Sequence, residues 1–295
     1  MSSVIQLAKG YDPKKLVFPV MVSEKLDGVP TLMNFATQHN GETGWACRSR
    51  QNKPQPSIHN QVSVLAWAIG DSMNRRVDIS IVAEVTHTER GMPFKDVSGH
   101  VRRQEQNDDL VLNIFDAVIH DYNEDRGFGG RIANISGIMR GMGKSPGWRV
   151  IPQLMLDTQE ELDAALAAMV ASREGFTPEG AVVRSCDELW QPGKRTWGYQ
   201  KYVLDPTTEV WVTGYEEALS QNGERLGMVG RINAIWQGKE IGVGPGKLTH
   251  AERRDLWTMG WAPAWATVKY KRDDSYNALR QPTFQHWRPD HEEPE

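Results

Sequence analysis

Cysteine is scarce in this chain, long apolar runs are missing, and positive charge is not in excess; each lack excludes a class. Cys47 and Cys186 are the two cysteines of 295 residues. They lie far apart and in no metal-type cluster, so neither a disulfide framework nor a zinc module is expected. No stretch approaches the apolar length of a membrane span, and the N-terminus lacks the charged and apolar regions of a signal peptide. The expectation is a soluble cytoplasmic protein with no membrane partner. Lys and Arg total 34 against 38 Asp and Glu, a net charge of −4, which gives no support to indiscriminate coating of DNA. Basic runs such as Arg102-Arg103, Lys194-Arg195 and Lys269 to Arg272 read first as solvated faces. No internal repeat or low-complexity tract is visible, and the length suits one large or two modest domains.

What is present centres on Val22-Ser23-Glu24-Lys25-Leu26-Asp27-Gly28-Val29-Pro30. Phe18, Val20 and Val22 alternate into it, so it reads as a strand ending in a tight Asp-Gly turn that holds up one lysine. An amine is nucleophilic only when deprotonated. From a reference of about 10.4, the Lys25 pKa would have to fall by about 3 units, roughly 4 kcal/mol, for useful reactivity near neutral pH. Burial or a neighbouring cation would serve.

The rest of the chain is expected to supply a scaffold and further polar groups. Residues 1 to 17 read as a partly ordered arm, with no room before Lys25 for an extra domain. Thr31 to Phe35 and Gly44 to Arg50 read as strands joined at His39-Asn40-Gly41, with Arg48 and Arg50 on one face of the second. Residues 57 to 76 read as a helix. Asp78 to Val85 alternates as a buried strand delivering Glu84, whose charge must reach the strand tip or meet a cation. Pro93 to Arg102 reads as a loop. Leu110 to Ile119 is a strongly apolar strand bearing Phe115-Asp116; residues 124 to 147 combine helix and loops, and Glu160 to Ser172 is an Ala-rich helix with an acidic first turn. After Asp205-Pro206 come short alternating strands with glycine turns at Val210 to Tyr215, Met228 to Ile235, Glu240 to Val243 and Trp265 to Lys271, the pattern of a small barrel.

Lys25-x-Asp27-Gly28 resembles the K-x-D-G signature of the covalent nucleotidyltransferases, which include ATP-dependent DNA ligases, RNA ligases and capping enzymes. Further motifs follow in order. Glu179-Gly180-Ala181-Val182-Val183-Arg184 is similar to the family's E-G-[LIVA]-[VI]-[VI]-[KR] strand, and Lys201, followed by Val203, stands where ligases have K-x-K. The loop after Glu84 and the tail from Ala266 to Phe284 look like those of compact phage ligases. The resemblance thus spans nearly the whole chain.

It implies an α+β fold: an ATP-grasp-like nucleotidyltransferase domain with antiparallel sheets over residues 1–204, then a small OB-fold β-barrel over 205–295. It implies ATP and Mg²⁺ as cofactors, and nicked duplex DNA as the partner of a monomer. Lys25 would attack the α-phosphorus of ATP to give a lysyl-AMP, with Asp27 positioning the lysine or a metal-bound water and Lys201 serving the α-phosphate. Glu24 would join the nucleotide site, Arg50 (alternatively Arg48) would lie over the sugar or strand phosphate, and Phe115 would stack on adenine. Glu84 would bind ribose or metal, Glu179 would ligate the metal, its neighbour Gly180 would let the backbone approach the ligand, and Arg280 would orient leaving pyrophosphate. Two departures remove positive charge: Pro30 where the family has arginine, and Val203 where it has a second lysine. Either Lys194, Arg195 or Arg48 compensates, or activity is diminished. The rival readings are an RNA ligase, a capping enzyme and a nick-binding protein without catalysis.

Overall fold

The computed structural model describes residues 3–37, 42–73, 78–89, 91–120, 122, 125–143, 145–171, 178–203, 205–260, 263–271 and 279–289. The chain divides into two units, Met1–Leu204 and Asp205–Glu295.

In the first unit the strands are β1 (Leu7–Gly10), β2 (Val20–Lys25), β3 (Val29–Thr37), β4 (Thr43–Ser49), β5 (Asp78–His87), β6 (Leu110–Ile119), β7 (Trp148–Val150), β8 (Leu154–Leu156), β9 (Gly180–Ser185) and β10 (Arg195–Val203). Its helices are α1 (His59–Ser72), α2 (Phe94–Val101), α3 (Phe128–Gly141) and α4 (Gln159–Val170). The strands form two sheets of mostly antiparallel pairs, ordered β1-β10-β9-β2-β8 and β4-β3-β5-β6-β7. The alternation read around Val20 and Val22 buries both against Leu162 and Leu166 of α4. The other sheet packs Met33, Ile79, Ile81, Leu112 and Ile114 against Val62 and Leu65 of α1 and Ile132 and Ile135 of α3. Each such fully buried aliphatic chain contributes about 1.5–3 kcal/mol.

Two segments differ from the sequence reading. Residues 7–10 of the N-terminal arm form β1, which pairs in parallel with β10, because the backbone of β10 would otherwise present an open edge. The Pro93–Arg102 segment is not a loop. Pro93 stands at the N-cap of α2, and Val97 and Val101, one helical turn apart, are buried by that helix. The His39-Asn40-Gly41 turn lies outside the described residues.

The second unit holds β11 (Thr207–Leu219), β12 (Arg225–Trp236), β13 (Lys239–Val243), α5 (His250–Met259), β14 (Ala264–Lys271) and β15 (Arg280–Trp287). Its sheet runs β13-β12-β11-β14-β15. No ladder joins β13 to β15, so the sheet is not closed; a single isolated parallel bridge runs from Gly244, just after β13, to Thr283 of β15 among the described residues. Val210, Val212, Val229, Ile232 and Val268 fill the core of this unit. The sequence reading had no helix here; α5 begins with a capping box, in which Thr249 and Glu252 satisfy each other's backbone N–H.

Candidate active site

Lys25 is the last residue of β2, and the chain crosses from one sheet to the other over the next few residues. Gly28 is the crossing point and has to be glycine. A Cβ there would lie 2.4 Å from the Val85 carbonyl oxygen and 2.9 Å from Glu84 Cγ. The close approach brings Glu84 of β5 toward Lys25, and the Gly28 N–H donates to the Glu84 carboxylate. On the other side Lys25 pairs with Gly180 of β9. Glu179 therefore stands beside the lysine, and Lys25 Nζ donates to its Oε2 at 2.5 Å. Gly180 itself is required by neighbouring protein backbone: a Cβ would meet the Tyr202 carbonyl oxygen of β10 at 2.1 Å.

The electrostatics differ from the sequence expectation. Burial pulls the Lys25 amine down, but the Glu179, Glu84 and Asp27 charges and the Glu179 hydrogen bond outweigh it, so its pKa is raised. In this arrangement Lys25 is an ammonium. Glu84 is pushed up to about 8 by burial and by the Glu179 and Asp27 charges, against the opposing pull of Lys25 and Gly28. This end of the site thus carries more carboxylate than its one cation neutralises.

A cleft of about 90 Å³ lies between the two sheets, lined by Glu24 and Lys25 of β2, Val182 and Arg184 of β9, Tyr199 and Lys201 of β10, Glu84 of β5 and Phe115 of β6, among others. Phe115 owes its place to a β-bulge. The β5–β6 register steps from Val82–Asp116 to Ala83–Ile114, leaving Phe115 as the extra residue. A bulge re-aims one side chain, and Phe115 is half-buried in a strand whose residues from Leu110 to Val118 are otherwise buried. Val203 follows Lys201 on the same face of β10 and pairs with Gly180, at the Lys25 end.

Several expected residues are elsewhere. Arg48 and Arg50 are exposed on and after β4, and neither lines the cleft. Lys194 and Arg195 do not line it either; Arg195 donates to the Ala8 carbonyl oxygen. Arg280 begins β15 of the second unit, where it pairs with Lys271.

The cleft also contains a cation that the sequence reading missed. Arg184 is 2% exposed, and its Nη1 lies 2.7 Å from Asp116 Oδ2. The fully buried Arg131 grips the same carboxylate with two parallel bonds of 3.0 Å. The Arg184 guanidinium lies 4.3 Å from the ring centre of Phe128 and 4.1 Å from that of Tyr199. Burial would raise the Asp116 carboxyl, but Arg184 and Arg131 outweigh it and hold it below the usual range. One signal was available: a charge placed in as apolar a strand as Leu110 to Ile119 requires a buried partner.

No group of three or more His, Cys, Asp or Glu side chains is arranged to hold a metal ion among the described residues. The oxygens of Glu84 and Glu179 nevertheless fit Mg²⁺, a hard cation held by one or two carboxylates together with water and substrate phosphates.

A lysine at the junction of two sheets, in a cleft with carboxylates, a second lysine and an aromatic face, defines an α+β enzyme site suited to a phosphorylated aromatic ligand. The family profile described as ATP dependent DNA ligase domain matches residues 8–202. The chain belongs to this family, and it is an ATP-dependent polynucleotide ligase. Solved structures agree on the fold. One, described as Pmar-Lig, superposes with a TM-score of 0.76 at 19% identity, over 98% of this chain and 68% of its own. A structure from a study of Lig E DNA ligases gives 0.70 at 18%, covering 98% of this chain and 100% of its own. The ATP-dependent DNA ligase of bacteriophage T7, complexed with ATP, gives 0.54 at 14%, over 97% and 98%. No curated protein sequence matches the chain.

Proposed function

We propose that the chain seals nicks between a 3′-hydroxyl and a 5′-phosphate in duplex DNA through a covalent Lys25–AMP. The observation that carries this reading is the convergence of Lys25, Glu84, Phe115 and Lys201 on one cleft from four separate segments of a ligase-family chain, with Glu179 of a fifth paired to Lys25. Lys25 Nζ attacks the α-phosphorus of ATP, a P–N bond forms, and the bond to pyrophosphate breaks. The ammonium proton, held in the resting site by Glu179 Oε2, leaves to water as the amine attacks. AMP then passes to the 5′-phosphate, and the 3′-hydroxyl displaces it as the phosphodiester forms.

Lys201 stabilises phosphoryl charge, which supplies most of the rate in transfers of this kind. Phe115 and Val182 face the base, and Asp27 and Glu24 complete the surroundings of the lysine. Glu84 and Glu179 would hold Mg²⁺, which supplies positive charge that offsets phosphate. The raised Lys25 pKa gives their second role: carboxylates engaged by a cation no longer hold the proton on the amine.

We read the open sheet of the second unit as an OB-fold, with Arg280 acting on leaving pyrophosphate and exposed Arg48 and Arg50 on strand phosphates. The protein works as a cytoplasmic monomer; its two cysteines are free. The test is ATP-dependent sealing of nicked DNA, nicked RNA and RNA–DNA hybrids. Sealing of nicked DNA by wild type and not by Lys25→Ala is expected. Sealing confined to RNA would replace DNA ligase by RNA ligase, and no sealing with no label would leave a nick-binding protein.

A further inference from the structure

We propose that Arg184 is a specificity-determining residue that reads the edge of the bound base, with its Nε–H donating to a ring nitrogen of the purine. The inference rests on the nucleotide reading of the cleft. Phe115, Val182 and Ile151 offer the base apolar surfaces, which any aromatic ring satisfies and which carry little information about its edge. Discrimination needs a fixed polar group.

Arg184 is fixed from every side. Its ring neighbours sandwich the guanidinium, Nη1 is paired with Asp116, and Nη2 donates to Gln6 Oε1 at 3.2 Å. Its Nε, buried in the wall of the cleft, has no hydrogen-bond partner among the described residues. A buried donor without an acceptor is costly. Arginine cannot relieve that cost by losing its proton, so the relief must come from an acceptor that enters the cleft.

Position favours the base over the phosphates as that acceptor. Arg184 pairs with Met21 and Gly180 pairs with Lys25 along the same two strands. At 3.2–3.4 Å per residue, those rungs are roughly 13 Å apart. The α-phosphorus has to reach Lys25, so the opposite end of the nucleotide points toward Arg184. The bulge sharpens the arrangement, since it sets the Phe115 ring next to Asp116, the residue that holds Arg184. A purine supplies lone-pair nitrogens at its edges, and a guanidinium can only donate.

The experiment measures the nucleotide concentration needed for half-maximal covalent labelling, using ATP and its 1-deaza, 3-deaza and 7-deaza analogues. Each analogue lacks one ring acceptor. Wild type is expected to require roughly tenfold more of one analogue, the loss of one hydrogen bond to a charged donor. Arg184→Lys keeps a cation for Asp116 and loses the Nε donor; it should bind ATP less well and show no added penalty for that analogue. Should this variant not fold, Arg184→Gln, which leaves Asp116 paired with Arg131, takes its place. Labelling in which the analogue penalties are absent from wild type, or equal in wild type and variant, overturns the inference alone. Failure of wild type to label with ATP overturns the nucleotide reading and this inference with it.

Discussion

In the wall of the cleft one carboxylate, Asp116, is shared by two guanidiniums, whereas at the Lys25 end one ammonium is surrounded by Glu179, Glu84 and Asp27. The Asp116 carboxylate is engaged on both oxygens, while Arg184 Nε has no partner among the described residues. Arg131 grips Asp116 bidentately and also donates to the Arg126 and Glu188 carbonyl oxygens, and Asp116 stays ionised despite complete burial. The Lys25 cluster is lopsided, with Glu84 displaced to about 8 and the lysine held protonated. The contrast separates two uses of buried charge. A carboxylate gripped by two guanidiniums fixes geometry, as beside Phe115, and an ammonium outnumbered by carboxyl groups is completed by whatever cation and phosphate enter.

The sharpest way to break this contrast is Asp116→Asn, which leaves two buried guanidiniums without their anion. Denaturant melts should show a loss of about 3–5 kcal/mol. A loss below about 1 kcal/mol would mean that water reaches the network. The pH dependence has a fixed sign. The folded pKa of Asp116 is depressed, so its contribution is present above the unfolded value of 3.8 and is lost as pH falls through the lower folded value. The variant should lack that acid limb.

Phe115→Ala removes the ring aimed by the bulge and should weaken ATP binding by about 1–3 kcal/mol. Unchanged affinity with a collapse in thermal stability would make the ring a core residue.

Glu84→Gln addresses the lopsided cluster. The folded pKa of Glu84 is raised from 4.5 to about 8, so the native state binds this proton more tightly than the unfolded chain. Wild type should therefore lose stability as pH rises from about 4.5 to about 8, and the variant should not, so that the variant gains on wild type through that range. Parallel pH–stability curves would show that Glu84 ionises freely.

Much of this contrast was legible along the chain, and the charge balance was not. Alternation placed Val20 and Val22 in the core and delivered Lys25 to the end of β2, whereas β5 runs on past Glu84 to His87. Such local periodicity survives folding because each face of a strand meets a single environment. The Asp-Gly turn was readable, but not the backbone of β5 packed against it, which makes Gly28 obligatory. Asp116 was visible as a charge in an apolar strand; its partners Arg131 and Arg184 come from α3 and β9 and meet it only in three dimensions. The same limit explains the lysine. Burial was anticipated and does pull its pKa down, but the sign of the net shift depends on carboxylates from β5 and from beside β9. Helix α2 escaped notice because it is short and buries only a narrow stripe.

The central claim is that Lys25, at the lopsided end, is the residue that carries AMP. Peptide mapping by mass spectrometry after incubation of the intact protein with ATP and Mg²⁺ tests it most directly. AMP on the peptide containing Lys25, absent from a folded Lys25→Ala protein, is the result expected. AMP on Lys201 or any other residue, or covalent label persisting in Lys25→Ala, would contradict it.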